Sequence, residues 1–255
     1  MPASYRRYAR RKNSGTSDPL WDSHCHLADP GWGAHLEHRL REARALGIRG
    51  WLSCAYDPSS WQVQRSLLEL PGVHIAQGVH PWAAELWGAE CQALLRQELE
   101  RGQVVALGEC GLDFYRARQP EAQHRQLEAL RGQLQLAREL DLPVVLHSVR
   151  CHRDLLREFD AAGPLRAMVH GFLGSLPEAR DWIERGCYLS LGPHALSRVD
   201  LMKQLPRQRV LIETDAPSRG AGLCDLIGVS QAYRQHHPQG SDELDLNLHR
   251  FLEGS

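Results

Sequence analysis

His24 and His26 close the apolar run LWDSHCH (20 to 26). Side chains alternate faces along a strand, so a spacing of two points both imidazoles, and Asp22 with them, to one side. Two imidazoles aimed at one point are half of a metal shell, although an isolated HxH is more often one core and one surface histidine, and only the later strand ends reverse that reading. Comparable residues end later apolar runs: His80 in VHIAQGVHP, Glu109 in VVALGEC, His147 in PVVLHS, His170 in RAMVHGF, and Glu213 and Asp215 in VLIETDAP. Four histidines and two carboxylates (His24, His26, Glu109, His147, His170 and Asp215) exceed the three protein ligands typical of one catalytic zinc. They suit two divalent ions sharing a carboxylate, a site that binds both the attacking and the leaving oxygen of an ester. Mixed imidazole and carboxylate donors accept Mg, Mn or Zn.

Such residues act together only if a fold gathers them. With IRGWLSCAY (48 to 56) and CYLSLGPH (187 to 194), the apolar runs number eight, separated by amphipathic stretches such as Glu121 to Leu140, Cys91 to Arg101 and Pro177 to Arg185. Alternating strand and helix predicts a parallel sheet. Eight units over 255 residues predict an α/β chain folded as a (β/α)8 TIM barrel, whose chemistry lies at the C-terminal ends of its strands.

DSHCHL, GVHP, GECGLDFYR, LPVVLHS, VHGFLGS and LIETDAP, in this order over residues 20 to 217, resemble the TatD family of metal-dependent hydrolases and deoxyribonucleases, and HGF is similar to its YjjV-like branch. The resemblance implies a barrel that hydrolyses phosphodiester bonds in DNA with divalent metals. It implies His24 and His26 as the first ligand pair, Glu109 as the bridging carboxylate, His147 and His170 on the second metal, and Asp215 as the remaining acid ligand. Asp215 is also placed to take a proton from the attacking water. Asp22 and Asp113 are expected to orient ligand imidazoles, since ligating histidines need a partner on the other nitrogen. His80 reads either as a donor behind the ligands or as a phosphate contact. Arg116, Arg150 and His152 read as phosphate-holding cations or as solvated helix-start residues. Trp51, Trp61, Trp82, Trp87 and Trp182 read as packing residues, with a second reading for Trp82 alone, beside His80 and Pro81, as a mouth residue able to stack a base. Cys25, between the two ligand histidines, is expected to face the barrel wall.

After Asp215 the family pattern fades: its Asn-x-x-Pro type loop is missing, and Asn247 and Phe251 alone echo its end. An altered eighth loop leaves room for another reading, a hydrolase of small esters, amides or lactones, or a barrel of reduced activity.

Composition bounds the remainder. Hydrophobic residues at 42% and charged residues at 24% exclude a disordered chain, and no apolar stretch reaches the ~20 residues of a membrane span. The formal net charge of -1 hides a basic leader with Arg6, Arg7, Arg10, Arg11 and Lys12, which leaves the remaining chain acidic. Residues 1–19 read as a flexible extension, a transit peptide or a nucleic-acid arm, and 20–255 as one barrel domain with a short, divergent part after 217. Seven cysteines without a CxxC pair argue against disulfides and predict a reducing cytoplasm. A monomer is expected, with DNA as substrate, no membrane and no obligate protein partner.

Overall fold

The structure, a computed structural model, describes residues 19–237 and 242–254. The leader expected as a flexible extension therefore lies outside the described residues, apart from Pro19. Eight strands form one sheet in which each pairs in parallel with its successor: β1 Leu20–Cys25, β2 Ile48–Cys54, β3 Val73–Gln77, β4 Ala106–Asp113, β5 Val144–Val149, β6 Ala167–Val169, β7 Tyr188–Leu191 and β8 Val210–Ile212. Bonds just beyond β8 close the circle: the Asp215 N–H donates to the His24 carbonyl at 3.0 Å and the His26 N–H to the Ala216 carbonyl at 2.7 Å. The expected (β/α)8 barrel is the fold observed.

The helices are α1 Leu36–Ala45, α2 Pro58–Leu67, α3 Ala89–Glu100, α4 Pro120–Glu139, α5 His152–Ala162, α6 Leu176–Glu184, α7 Val199–Gln204, α8 Leu226–His236 and α9 Asp242–Glu253. Local chemistry sets several starts. Asp57 caps α2 and Ser175 caps α6, each in a reciprocal capping box, with proline in the first turn of both helices. Helix α4 shows how the outer ring positions the mouth. It buries Leu130, Leu134 and Ala137, and its buried Gln126 and Gln133 reach past them to the sheet. Gln126 accepts from the Asp113 N–H at 2.8 Å and donates to the Pro81 carbonyl at 3.0 Å. Gln133 brackets Val79, accepting from its N–H at 2.7 Å and donating to its carbonyl at 3.0 Å. The loop that carries His80 and the end of β4 at Asp113 are thus tied to one helix.

Apolar packing falls into two layers. Between sheet and helices lies the larger one, with Leu107, Leu146, Trp51 and Trp182 fully buried. Inside the barrel, Trp21, Leu52, Ala76, Ala106, Val145, Met168 and Leu211 fill the space on the side away from the C-terminal ends of the strands, and Leu248, Phe251 and Leu252 of α9 pack against them. Asn247 fixes that helix by donating to the carbonyls of Arg207 and Val210 at 2.7 and 2.8 Å.

Candidate metal-dependent active site

Glu109 lies in the middle of β4 rather than at its end, because the strand runs four residues further, pairing Gly111 with His147 and Asp113 with Val149. Glycine is required beside it: a Cβ on Gly111, whose φ is +146°, would stand 2.1 Å from the His147 carbonyl oxygen. Close backbone approach sets the two side chains against each other, with His147 Nδ1 2.7 Å from Glu109 Oε1.

Of the six residues singled out for metal, the other five gather around the Glu109 carboxylate from both sides. Towards Oε2 stand His24 Nε2 at 3.2 Å and His26 Nε2 at 3.4 Å, and Asp215 Oδ1 lies 3.2 Å from His26 Nε2 and 3.6 Å from that of His24. Towards Oε1 stand His147 Nδ1 and His170 Nε2, both at 2.7 Å. Five donor residues from β1, β5 and the segments following β1, β6 and β8 thereby form two half-shells around one β4 carboxylate.

The donor chemistry fits divalent cations. His26 Nδ1 lies 3.0 Å from the Cys54 carbonyl, which can only accept, so the ring proton sits there and the Nε2 lone pair faces the cluster. Ring nitrogens crowd one another, His24 Nε2 to His26 Nε2 at 3.2 Å and His147 Nδ1 to His170 Nε2 at 3.0 Å. Glu109 Oε2 is buried without a hydrogen bond. Facing lone pairs around an unsatisfied carboxylate oxygen are what a cation resolves. The local field asks for positive charge as well: burial disfavours the His170 imidazolium, yet the Glu109 charge pushes its pKa up to about 9. Burial would raise Glu109 itself, but the charges of His170 and His24 and the hydrogen bond from His147 hold it well below the carboxylate range.

His80 differs from the ligand candidates. Its Nδ1 accepts from the Trp82 N–H at 3.0 Å, so its neutral ring carries the proton on Nε2, which lies 3.2 Å from Glu109 Oε1. Burial lowers its pKa to about 4 and keeps that donor neutral. Asp113 stands 3.6 Å from His147 Nε2, on the side expected of it, and accepts from the Trp82 indole at 2.7 Å and from the Tyr115 and Arg116 N–H groups.

Asp22 departs from the expectation. Register shifts on either side of Trp21–Asp22 break the alternation of β1, and the carboxylate turns to the β8 seam instead of an imidazole. It accepts from the Thr214 hydroxyl at 2.6 Å, the Thr214 N–H at 2.9 Å and the His24 N–H at 3.3 Å. His24 Nδ1 is left without a hydrogen-bond partner. Cys25 is fully buried in the layer beneath the helices, as expected.

Above the cluster opens a cavity of about 1400 Å³. Arg116, Arg150 and His152 all line it, each already engaged: Arg116 lies 3.5 Å over the Trp82 ring, Arg150 4.6 Å over Tyr115, and His152 Nε2 bonds Asp181 at 2.9 Å. Two residues given no role from sequence prove placed at the site. Glu213 accepts from the Gly171 N–H at 2.6 Å and stands 3.5 Å from His170 Nδ1; its spacing of two from Asp215 was the available signal. Tyr56, the residue that ends the second apolar run, stacks on His26 with centroids 4.2 Å apart.

An eight-stranded parallel barrel with a histidine and carboxylate cluster at its C-terminal mouth is the architecture of the metal-dependent hydrolases. Residues 21–220 match the family described as TatD related DNase, and the chain belongs to it. It is 35% identical over 207 residues to the uncharacterized metal-dependent hydrolase YjjV of Escherichia coli, covering 77% of this chain and 78% of that one. It is 40% identical over 193 residues to the 3'-5' ssDNA/RNA exonuclease TatD of Cronobacter sakazakii, covering 71% and 72%. The crystal structure of Escherichia coli YjjV superimposes with a TM-score of 0.81 at 30% identity, covering 91% of this chain and 95% of that one. The sequence expectation of a TatD-type metal-dependent hydrolase is borne out.

Among the described residues no helix is long and apolar enough to cross a membrane, and all seven cysteines are unpaired.

Proposed function

We propose that this chain hydrolyses phosphodiester bonds of single-stranded DNA with two divalent metal ions, Mg, Mn or Zn. The observation that carries the reading is the Glu109 carboxylate, with one half-shell of donors on each of its oxygens. His24, His26 and Asp215 would hold one ion, His147 and His170 the other, with Glu109 shared. Bound divalent ions supply Lewis acidity and lower the pKa of water from 15.7 towards ~7. The chain supplies the rest. Asp215, its side chain 31% exposed while those of the other five are at most 10% exposed, is the carboxylate that solvent reaches. It accepts the proton of the attacking water and returns it to the departing oxygen. His80 directs its fixed neutral Nε2–H at Glu109 Oε1, 3.2 Å away, and steadies that shared carboxylate from behind. Arg116 and Arg150 hold flanking phosphates, and His152, bonded to Asp181, lines the wall beside them. The names of the nuclease relatives support this substrate class.

We further propose that residues 20–255 act as one monomeric barrel domain in a reducing cytoplasm, which the seven unpaired cysteines support. A second reading, a hydrolase of small esters, amides or lactones on the same site, is favoured by the acidic balance of the chain outside its leader.

Elemental analysis of the purified protein, followed by digestion of single-stranded DNA with each metal, tests the first reading. Metal-dependent release of nucleotides, lost in His24→Ala and Glu109→Ala, is expected. Cleavage that survives exhaustive chelation would overturn it, and turnover of small esters with none of DNA would establish the second.

A further inference from the structure

Four flat groups follow one another around the mouth in strand order: His26 after β1, Tyr56 after β2, Trp82 after β3 and Arg116 after β4. The His26 and Tyr56 rings are in contact, with centroids 4.2 Å apart and planes 13° from parallel. Arg116 covers Trp82 at 3.5 Å. The middle pair is different: Tyr56 and Trp82 are only 12° from parallel, but their centroids stand 6.4 Å apart. Carbon contact distances of ~3.5 Å mean that a flat ring fits between two others spaced by about 7 Å. The observed 6.4 Å falls about half an ångström short of this, and Trp82, 43% exposed, is the wall that faces solvent. His80 forms the floor of this gap, 5.4 Å from Tyr56 and 4.6 Å from Trp82, its ring at 72° and 76° to them. Its Nε2 is the atom 3.2 Å from Glu109, so the floor adjoins the cluster, and both walls line the cavity.

We propose that the gap between Tyr56 and Trp82 is a slot for one unpaired nucleobase of a nucleotide flanking the scissile phosphate. The inference rests on the nuclease reading and adds a subsite to it. His26 backs one wall and Arg116 the other, which holds the planes parallel before the base arrives. A base inside a duplex is paired on its edge and stacked on both faces, so it enters only after extrusion, and the slot selects single strands. Stacking uses a face that every base has, so the slot tolerates sequence.

The test uses single-stranded oligonucleotides that differ in one position, a normal nucleotide or an abasic tetrahydrofuran residue at the terminal, penultimate or third place from the cleaved end. The metal-loaded protein should prefer the base-bearing strand at one position by about 5- to 150-fold in kcat/KM. Trp82→Phe keeps a stacking ring but loses the bond to Asp113, whereas Trp82→Leu loses both. Trp82→Phe should retain the preference, while Trp82→Leu and Tyr56→Leu should bring the ratio close to one. A ratio already near one in the unmodified protein, with cleavage intact, overturns the slot and leaves the nuclease reading standing. Equal loss of preference in Trp82→Phe and Trp82→Leu overturns it too, assigning the effect to Asp113. No cleavage of any oligonucleotide overturns both.

Discussion

Glu109 and Glu213 are both buried carboxylates at the mouth, yet their oxygens meet different partners. Glu109 faces ring nitrogens on both sides, whereas Glu213 spends Oε1 on the Gly171 N–H and the far nitrogen of His170. The first is placed to hold metal and the second to orient a holder, and their substitutions should separate accordingly. Glu109→Gln is expected to lose bound metal and at least ~100-fold in activity at any metal concentration. Glu213→Gln should weaken metal binding ~10- to 100-fold and recover activity as metal is raised. Titration of activity against metal concentration distinguishes them, and recovery of the Glu109 variant at high metal would refute its shared position. The six donor candidates were legible because residue type and the close of an apolar run both point to them, although β4 runs four residues past Glu109 and β5 two past His147. Asp22 was misread for a physical reason: alternation holds only where the register is continuous, and β1 shifts twice within six residues. Tyr56 and Glu213 act through rings and partners contributed by other strands, and a linear sequence does not display such neighbours.

Helix α9 illustrates what can persist where sequence motifs fade. The family match ends at residue 220, yet Leu248, Phe251 and Leu252 still close the inner layer of the barrel, and the YjjV structure superimposes over 91% of the chain. The faint echo of Asn247 and Phe251 corresponds to the two residues that bond and fill that end: Asn247 caps carbonyls beside β8, and Phe251 is fully buried. Phe251→Ala should cost about 3–5 kcal/mol in denaturant unfolding through lost burial and the cavity left behind. An effect below about 1 kcal/mol would mean that the helix does not close the barrel. The same end holds His74, in ring contact with Trp21, which also contacts His249 of α9. Burial, reinforced by the nearby His249 charge, lowers the His74 pKa to about 4. The unfolded chain takes up this proton near 6.5 and the folded chain only near 4, so the stability gained from neutral His74 is complete above 6.5 and is lost as the pH falls towards 4. The loss is up to about 3 kcal/mol. Urea melts from pH 7 to 4 should show it, and His74→Gln should flatten the curve; parallel pH dependences in the two proteins would refute the assignment.

The helical candidates read from sequence agree with α3, α4 and α6 to within two residues at each end, because period and length are local properties. What no local pattern contains is how charge is distributed over the folded barrel, and that distribution predicts how a strand is held. The leader carries five basic residues, so on the nuclease reading the remaining chain would bind a polyanion against its own net negative charge. Capture is therefore confined to the mouth, where Arg116, Arg150 and Arg219 line the cavity. Each phosphate neutralised on a single strand contributes about -0.7 to the slope of log affinity against log salt, so these arginines, four with Arg153, give a slope of roughly -3. Five further cations from the leader would steepen it to about -6. The expected outcome is the shallow slope for kcat/KM on single-stranded DNA, measured in monovalent salt at fixed metal, and no change when residues 1–18 are deleted. A steep slope that collapses on deletion would show instead that the leader grips the strand and the mouth only cuts it.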